Sequence, residues 1–294
     1  MPTRDVLGGG TLGRLLDDGA ARLRAAGSAD PRREAVALWA ALAGTSPGDA
    51  WVARSGMTAP DLEKRWRTAL DRLASGEPLA YAAGTAGFRA LTLDVDSRVL
   101  IPRPETEGLV DLVLAWGHAT LGGASWGTAV DVGTGSGCIA LSLAAEGRFG
   151  QVVGVDSSSG ALAVAARNAG RARLPVPVEF VQGDLLDGFA SGRLTAIVAN
   201  PPYVAETEMA VLPDPVRAYE PHLALLSPEG GLWHTRRLLA DAADRVAPGG
   251  LVALEIDSRR GDRVLEIAAA CGWRNAEVRR DLFGRDRYLL ATKE

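Results

Sequence analysis

Residues 129–138 read AVDVGTGSGC, and this stretch decides the fold. A short apolar run, Ala129 to Val132, gives way to three alternating glycines, Gly133, Gly135 and Gly137. Residues 139–146, IALSLAAE, follow at once and are rich in strong helix formers. A strand that turns abruptly into a helix needs residues without Cβ constraint, and the same residues let a ligand come close to the peptide groups. The glycine pattern alone is a weak signal, since a tight structural turn would also account for it.

The surroundings strengthen it. From Thr128 onward apolar runs alternate with helical segments. Strands are predicted over 129–132, 152–156, 178–182, 196–200, 251–256, 276–280 and 287–292, with helices such as 160–169 and 232–246 between them. This rhythm predicts an α/β fold with a doubly wound, mostly parallel, seven-stranded sheet covered on both faces. In such sheets ligands bind at the carboxyl ends of the strands. Three consecutive strands end there in ligand-type residues: the glycine loop, Asp156 and Asp184. Asp156 stands where an acid takes a ribose hydroxyl pair, and Asp184 could accept from an exocyclic amine. The glycines fall as G-x-G-x-G, with Cys138 where a pyrophosphate fingerprint has a small residue. Asp131, just before the loop, is poorly placed beside a pyrophosphate and suits a ligand carrying an ammonium and a sulfonium. This D-x-G-x-G-x-G pattern with Asp156 and Asp184 resembles the S-adenosyl-L-methionine site of class I methyltransferases, and hydride transfer is set aside on that resemblance.

The fourth strand ends in 197–203, IVANPPY. Asn200 offers a side-chain acceptor, Pro201 and Pro202 fix φ and hold the carbonyls of the turn, and Tyr203 presents a flat face. Together they form a rigid socket for a planar nitrogen bearing two hydrogens. Such a nitrogen is a poor nucleophile because its lone pair is delocalised. Acceptors pulling on its N–H bonds return density to nitrogen and aim the lone pair, and alignment of this kind lowers a barrier by about 7–11 kcal/mol in the best intramolecular cases.

The 294-residue chain has room for a large domain and a small one, and 47% apolar residues suffice for a sizeable core. A formal net charge of -4 gives no basic footprint for nucleic acid. The polar residues 1–5 lead into no apolar signal segment, and no apolar run is long enough to span a bilayer. Two cysteines, Cys138 and Cys271, form neither a disulfide framework nor a metal cluster, so a cytoplasmic chain with reduced thiols and no metal is expected. Residues 1–83 read as a helical domain, with helices at 34–43 and 61–74. Residues 84–101 read as a β-hairpin linker, and 102–294 as the sheet domain. The segment 201–231 is the longest irregular stretch, and a loop of that length is usually functional.

Asn-Pro-Pro-Tyr resembles the motif of class I enzymes that methylate conjugated nitrogens, in adenine, in rRNA bases or in protein glutamine. RVLIPRPETEGLVDLVL (98–114) and YEPHLALLSPEGGL (219–232) look like the protein-(glutamine-N5) methyltransferases of the HemK/PrmC type. The resemblance is close to full length. It implies a Rossmann-like methyltransferase domain behind a helical substrate-docking domain. It also implies methylation of the glutamine in the Gly-Gly-Gln motif of class I peptide chain release factors, with S-adenosyl-L-methionine as cofactor and S-adenosyl-L-homocysteine as product. The alternative is an amino-methyltransferase acting on an exocyclic nitrogen of DNA or rRNA; no direct nucleic-acid partner and no membrane are expected, and the chain is expected to be a monomer. By position, the resemblance assigns the cofactor to Gly133, Thr134, Gly135, Ser136, Gly137, Asp156, Asp184, Leu185 and Asn200. It assigns catalysis and the substrate amide to Asn200, Pro201, Pro202 and Tyr203, and substrate-loop contacts to Arg103 and Glu105 or Glu107. One departure stands out: LEIDSRRG places Asp257 and Ser258 where the family often has glycine.

Overall fold

The computed structural model describes residues 10–123 and 125–294; the polar residues 1–5 lie outside them. The chain divides into two compact units, one through Ala86 and one from Gly87 to Glu294.

The first unit is helical: α1 (Leu12–Ala25), α2 (Pro31–Ala43), α3 (Pro47–Val52), α4 (Pro60–Ala74) and α5 (Leu79–Ala83). The two predicted helices are present, each lengthened at its start by a proline in the first turn, where the missing N–H costs nothing. Gly44 ends α2 at φ +67°, in the left-handed region. α1 and α3 were not expected, although α1 buries Leu12, Leu15, Leu16 and Leu23 at helical spacing. The core joins these to Leu38, Trp39, Trp66 and Leu70. Trp39 and Trp66 meet edge to face at 6.3 Å. Gly19 is small for a reason: a Cβ there would stand 2.3 Å from the Trp66 ring.

The second unit holds the sheet. A two-stranded hairpin, β1 (Thr85–Phe88) and β2 (Leu91–Asp94), lies at the boundary and is followed by α6 (Pro104–Thr120). Then come β3 (Thr128–Val132), α7 (Cys138–Glu146), β4 (Gln151–Asp156), α8 (Ser159–Arg171), β5 (Val178–Gln182), β6 (Leu194–Ala199), β7 (Val246–Glu255), β8 (Asn275–Arg280) and β9 (Asp286–Thr292). The seven-stranded sheet runs β5-β4-β3-β6-β7-β9-β8, parallel except for β9, which is antiparallel to both neighbours. Successive side chains alternate faces. Val130, Val132, Ile197 and Leu254 enter one core with the helix Trp233–Arg245 and the helix Gly261–Ala270. Ala129, Ala196, Val198 and Ala253 enter the other with α6 and α7.

Register builds the site. Val132 pairs with Val155 on one side and Ala199 on the other, so Gly133, Asp156 and Asn200 emerge side by side one residue later. β6 stops at Ala199, one residue short of its predicted end, which leaves Asn200 outside the ladder. β7 starts earlier than expected, at Val246, and ends at Glu255. The segment 201–231 contains short helical turns, Glu206–Val211, Asp214–Tyr219 and His222–Ala224. Its neck is tied: Val204 N–H donates to Leu225 O (2.9 Å) and Ser227 N–H to Val204 O (2.8 Å). Among the described residues no helix is long and apolar enough to cross a membrane.

Candidate active site

An open cavity lies at the carboxyl edge of β3, β4 and β6. Gly133, Thr134, Gly135, Ser136, Asp156, Asp184, Leu185, Asn200, Pro202 and Arg103 all line it. Gly133 and Gly135 have φ of +71° and +54°, and a Cβ on either would meet almost nothing of the chain, so both peptides are open to a ligand. Gly137 serves packing instead: at φ +83° its Cβ would press within 3.3 Å of Ala165 and Leu141. Asn168, buried in α8, donates to Ser136 O (2.9 Å) and Asp94 O (3.1 Å), which fixes the loop to β2.

The Asp156 carboxylate accepts from the N–H groups of Gly135 (2.9 Å, Oδ2) and Ser158 (2.9 Å, Oδ1), one bond on each oxygen. Each oxygen keeps lone-pair capacity for a hydroxyl donor. Open peptides, a carboxylate at the strand tip and an apolar Leu185 beside it fit S-adenosyl-L-methionine, whose ribose offers a diol and whose adenine is flat. Asp131, expected to suit a ligand's ammonium, does not line the cavity and is fully buried. Its Oδ2 accepts from the Thr134 hydroxyl (2.6 Å) and the Ala140 N–H (3.0 Å), pinning the loop to the start of α7, while Oδ1 has no partner. Burial pushes this carboxyl up to about 7 against those two bonds. Burial, with Asp131 nearby, raises the Cys138 thiol to about 12.

The opposite wall is made by side chains. Asn200 donates through Nδ2 to Thr106 Oγ1 (3.1 Å), and Thr106 donates in turn to Glu255 Oε2 (2.6 Å). Tyr203 OH donates to the other oxygen, Oε1 (3.2 Å). Glu255 is 1% exposed and Thr106 2%. Burial raises the Glu255 carboxyl, while the Thr106 bond, the Arg287 guanidinium and the Tyr203 bond pull the other way. Burial, with Glu255 as the next cause, pushes the Tyr203 phenol far up, so it stays protonated.

Arg103 and Ile101 converge on Glu220, which is 3% exposed: the guanidinium is 2.5 Å from Oε1 and the Ile101 N–H 3.2 Å from Oε2. One short pair thus joins the 98–114 and 219–232 segments. Glu107 accepts from the Arg89 N–H (2.7 Å), and the Glu105 carbonyl accepts from Tyr288 OH (2.6 Å). Neither acid lines the cavity, nor do Pro201 and Tyr203, which stand behind Asn200 and Pro202. The departure at Asp257 has a structural account. Asp257 pairs with Arg259 and Arg260, and Arg260 reaches both Glu208 (2.7 Å) and the Tyr203 carbonyl (3.2 Å). A carboxylate and a guanidinium thereby clamp the backbone that follows the two prolines.

Sequence reasoning did not single out Glu255, Glu220, His234 or Thr106 as site residues. His234 lines the cavity, its Nδ1 2.8 Å from Ser227 Oγ, and burial lowers its pKa. An acid at the end of an otherwise apolar strand was the one available signal for Glu255.

Comparison with known proteins agrees with this geometry. The family model "Methyltransferase small domain" matches residues 118–235 and "PrmC N-terminal domain" matches 14–84. A release factor glutamine methyltransferase of Moorella thermoacetica is 40% identical over 282 residues, 96% of this chain and 98% of that protein. Another, of Deinococcus radiodurans, is 38% identical over 280 residues, 95% of this chain and 97% of that protein. A solved methyltransferase of Pyrococcus furiosus shares the fold at a TM-score of 0.50 and 19% identity, covering 69% of this chain and 89% of its own. With near full-length identity to such relatives, and an open glycine loop beside an Asn-Pro-Pro-Tyr tip, the chain belongs to the release factor glutamine methyltransferase family.

Proposed function

We propose that this chain methylates the side-chain amide nitrogen, N5, of the glutamine in the Gly-Gly-Gln motif of class I peptide chain release factors. The observation that carries this is the Asn200 amide. Its NH2 is committed to Thr106, which leaves Oδ1 as an acceptor in the wall of the cavity beside the glycine loop. S-adenosyl-L-methionine, when bound, supplies a methyl group made electrophilic by its sulfonium. The chain's residues hold the acceptor nitrogen. Asn200 Oδ1 takes one N–H of the glutamine amide, and the turn fixed by Pro201 and Pro202 offers its carbonyls to the second. Both bonds strengthen as the nitrogen acquires positive charge, so they favour the transition state over the ground state. Pro202 shapes the pocket with Tyr203 bracing it from behind through Glu255, Arg103 in the cavity wall meets the substrate loop, and the helical unit through Ala86 docks the release factor. On the cofactor side, Gly133 to Ser136 cradle the amino-acid portion, Asp156 takes the ribose, and Asp184 with Leu185 takes the adenine edge.

The test is labelled methyl transfer to a purified release factor, beside duplex DNA and rRNA, with mass mapping of the product. Label on the Gly-Gly-Gln glutamine is the expected result. Label confined to nucleic acid would overturn the assignment.

A further inference from the structure

A primary amide is nearly symmetric in shape and opposite in function at its two ends. Asn200 serves a substrate N–H only with Oδ1 facing the cavity; turned over, it would present two hydrogens to two hydrogens. Something must therefore fix its sense. The adjacent Thr106 hydroxyl has one hydrogen, and Glu255 Oε2 takes it at 2.6 Å. The hydroxyl is left with lone pairs alone for Asn200, which must answer with Nδ2, at 3.1 Å. Glu255 has no choice of its own either: both carboxylate oxygens already receive hydroxyl donors, Thr106 on one and Tyr203 on the other, the pattern of an ionised acid. From β7, this carboxylate sets the polarity of a three-member chain that runs outward to the cavity.

We propose that the Thr106 hydroxyl, anchored by Glu255, is a positioning group that sets the sense of the Asn200 amide and so makes its oxygen the acceptor for the substrate. The proposal rests on the glutamine reading above and adds two residues to it, neither touching substrate. Sequence separations of 94 and 149 residues join the chain's members, so only the fold brings them together.

The sequence allows a direct observation, because it contains three asparagines: Asn168, Asn200 and Asn275. Asparagine labelled with 15N on its side chain gives three NH2 signals in the intact protein. Asn168 is buried and bonded, and Asn275 is exposed, so they mark slow and fast exchange with water. Wild-type Asn200 is expected to exchange slowly, like Asn168. In Thr106→Val it should exchange severalfold faster, and single-turnover methylation of release factor should fall by about tenfold, the size of one unmade buried hydrogen bond. Cofactor affinity should stay within about twofold, which also reports that the sheet domain is folded. Thr106→Ser keeps the hydroxyl and should restore both readouts to within a few-fold. Glu255→Met, which removes the anchor and leaves Thr106, should loosen the Asn200 signal as Thr106→Val does. Fast exchange in the wild type, an unmoved signal in Thr106→Val or Glu255→Met, or a Thr106→Ser variant as slow as Thr106→Val would each overturn the proposal. A wild-type protein that leaves release factor unlabelled would instead refute the substrate assignment, and the exchange readout would still decide the sense of the amide.

Discussion

The two walls of the cavity are built by opposite means. The glycine-loop wall is backbone: open peptides at Gly133 and Gly135, a packed Gly137, and carboxylates that bind N–H groups. The Asn-Pro-Pro-Tyr wall is side chain: Asn200, Thr106, Glu255 and Tyr203 in series, with Arg260 and Asp257 behind. A backbone wall suits a ligand met across much of its surface. A side-chain wall suits one functional group that must be held in one orientation. The first wall should therefore govern affinity and the second rate.

The largest effect that would break this division is on turnover. Asn200→Ala is expected to cut single-turnover methylation by about 10²–10³, the cost of one preorganised polar group in comparable sites, with cofactor affinity within a few-fold. Equal losses of rate and cofactor binding would mean that the two walls share one task. Gly135→Val probes the other wall. Its backbone sits at φ +54°, where a β-branched residue is strained by about 1–3 kcal/mol, and the side chain would project into the cavity. Calorimetry should read cofactor binding weakened by about a hundredfold, the fold intact by circular dichroism; ordinary binding would make the loop merely a turn.

A smaller effect belongs to the clamp. Arg260→Ala frees the Tyr203 carbonyl and Glu208 but touches neither Asn200 nor the cavity. Steady-state kinetics should give a KM for release factor raised by about three- to tenfold, one or two interactions' worth, with kcat nearly kept. The smallest concerns stability. Burial raises the Asp131 carboxyl to about 7, so the ligand-free fold binds a proton there that the unfolded chain gives up near pH 4. The stability this confers is complete below pH 4 and is lost as pH rises through about 7, with a slope of at most about 1.4 kcal/mol per pH unit from this group. Glu255, also raised, contributes in the same sense. Urea unfolding at pH 5 to 8 should show the slope, and Asp131→Asn should flatten it by its own share.

The same contrast explains what was legible in the sequence. The backbone wall is local: strand, glycines and helix are consecutive, and the acids at 156 and 184 close the next two strands, so period and spacing expose it. Asn200 was legible because two prolines after a strand are unusual. Its orientation was not, since Thr106 and Glu255 reach it from 94 and 55 positions away along the chain and only register brings them to one edge. Asp131 misled for a related reason: proximity to the loop in sequence says nothing about access to it, and inside β3, which is buried on both faces, this carboxylate is spent on Thr134 and Ala140. α1 was missed because its glycines and charges dilute a helical period that Trp66, folding back onto Gly19, completes.

The tied neck at Val204 and Leu225 has a consequence for how this enzyme can vary. Gly231, at φ +88°, lies so close that a Cβ would stand 2.3 Å from the Tyr203 carbonyl, so the two ends of the 201–231 segment meet directly beneath the active tip. Everything beyond that meeting point hangs from a closed ring. Adding or removing residues at its far end changes loop entropy slowly, by about 0.6 kcal/mol per doubling of length. Insertions and deletions beyond the Glu208 clamp, between Met209 and Tyr219, can thus accumulate without moving Asn200. The segment is a place where lineages can remodel the approach to the site while the chemistry beneath it stays fixed.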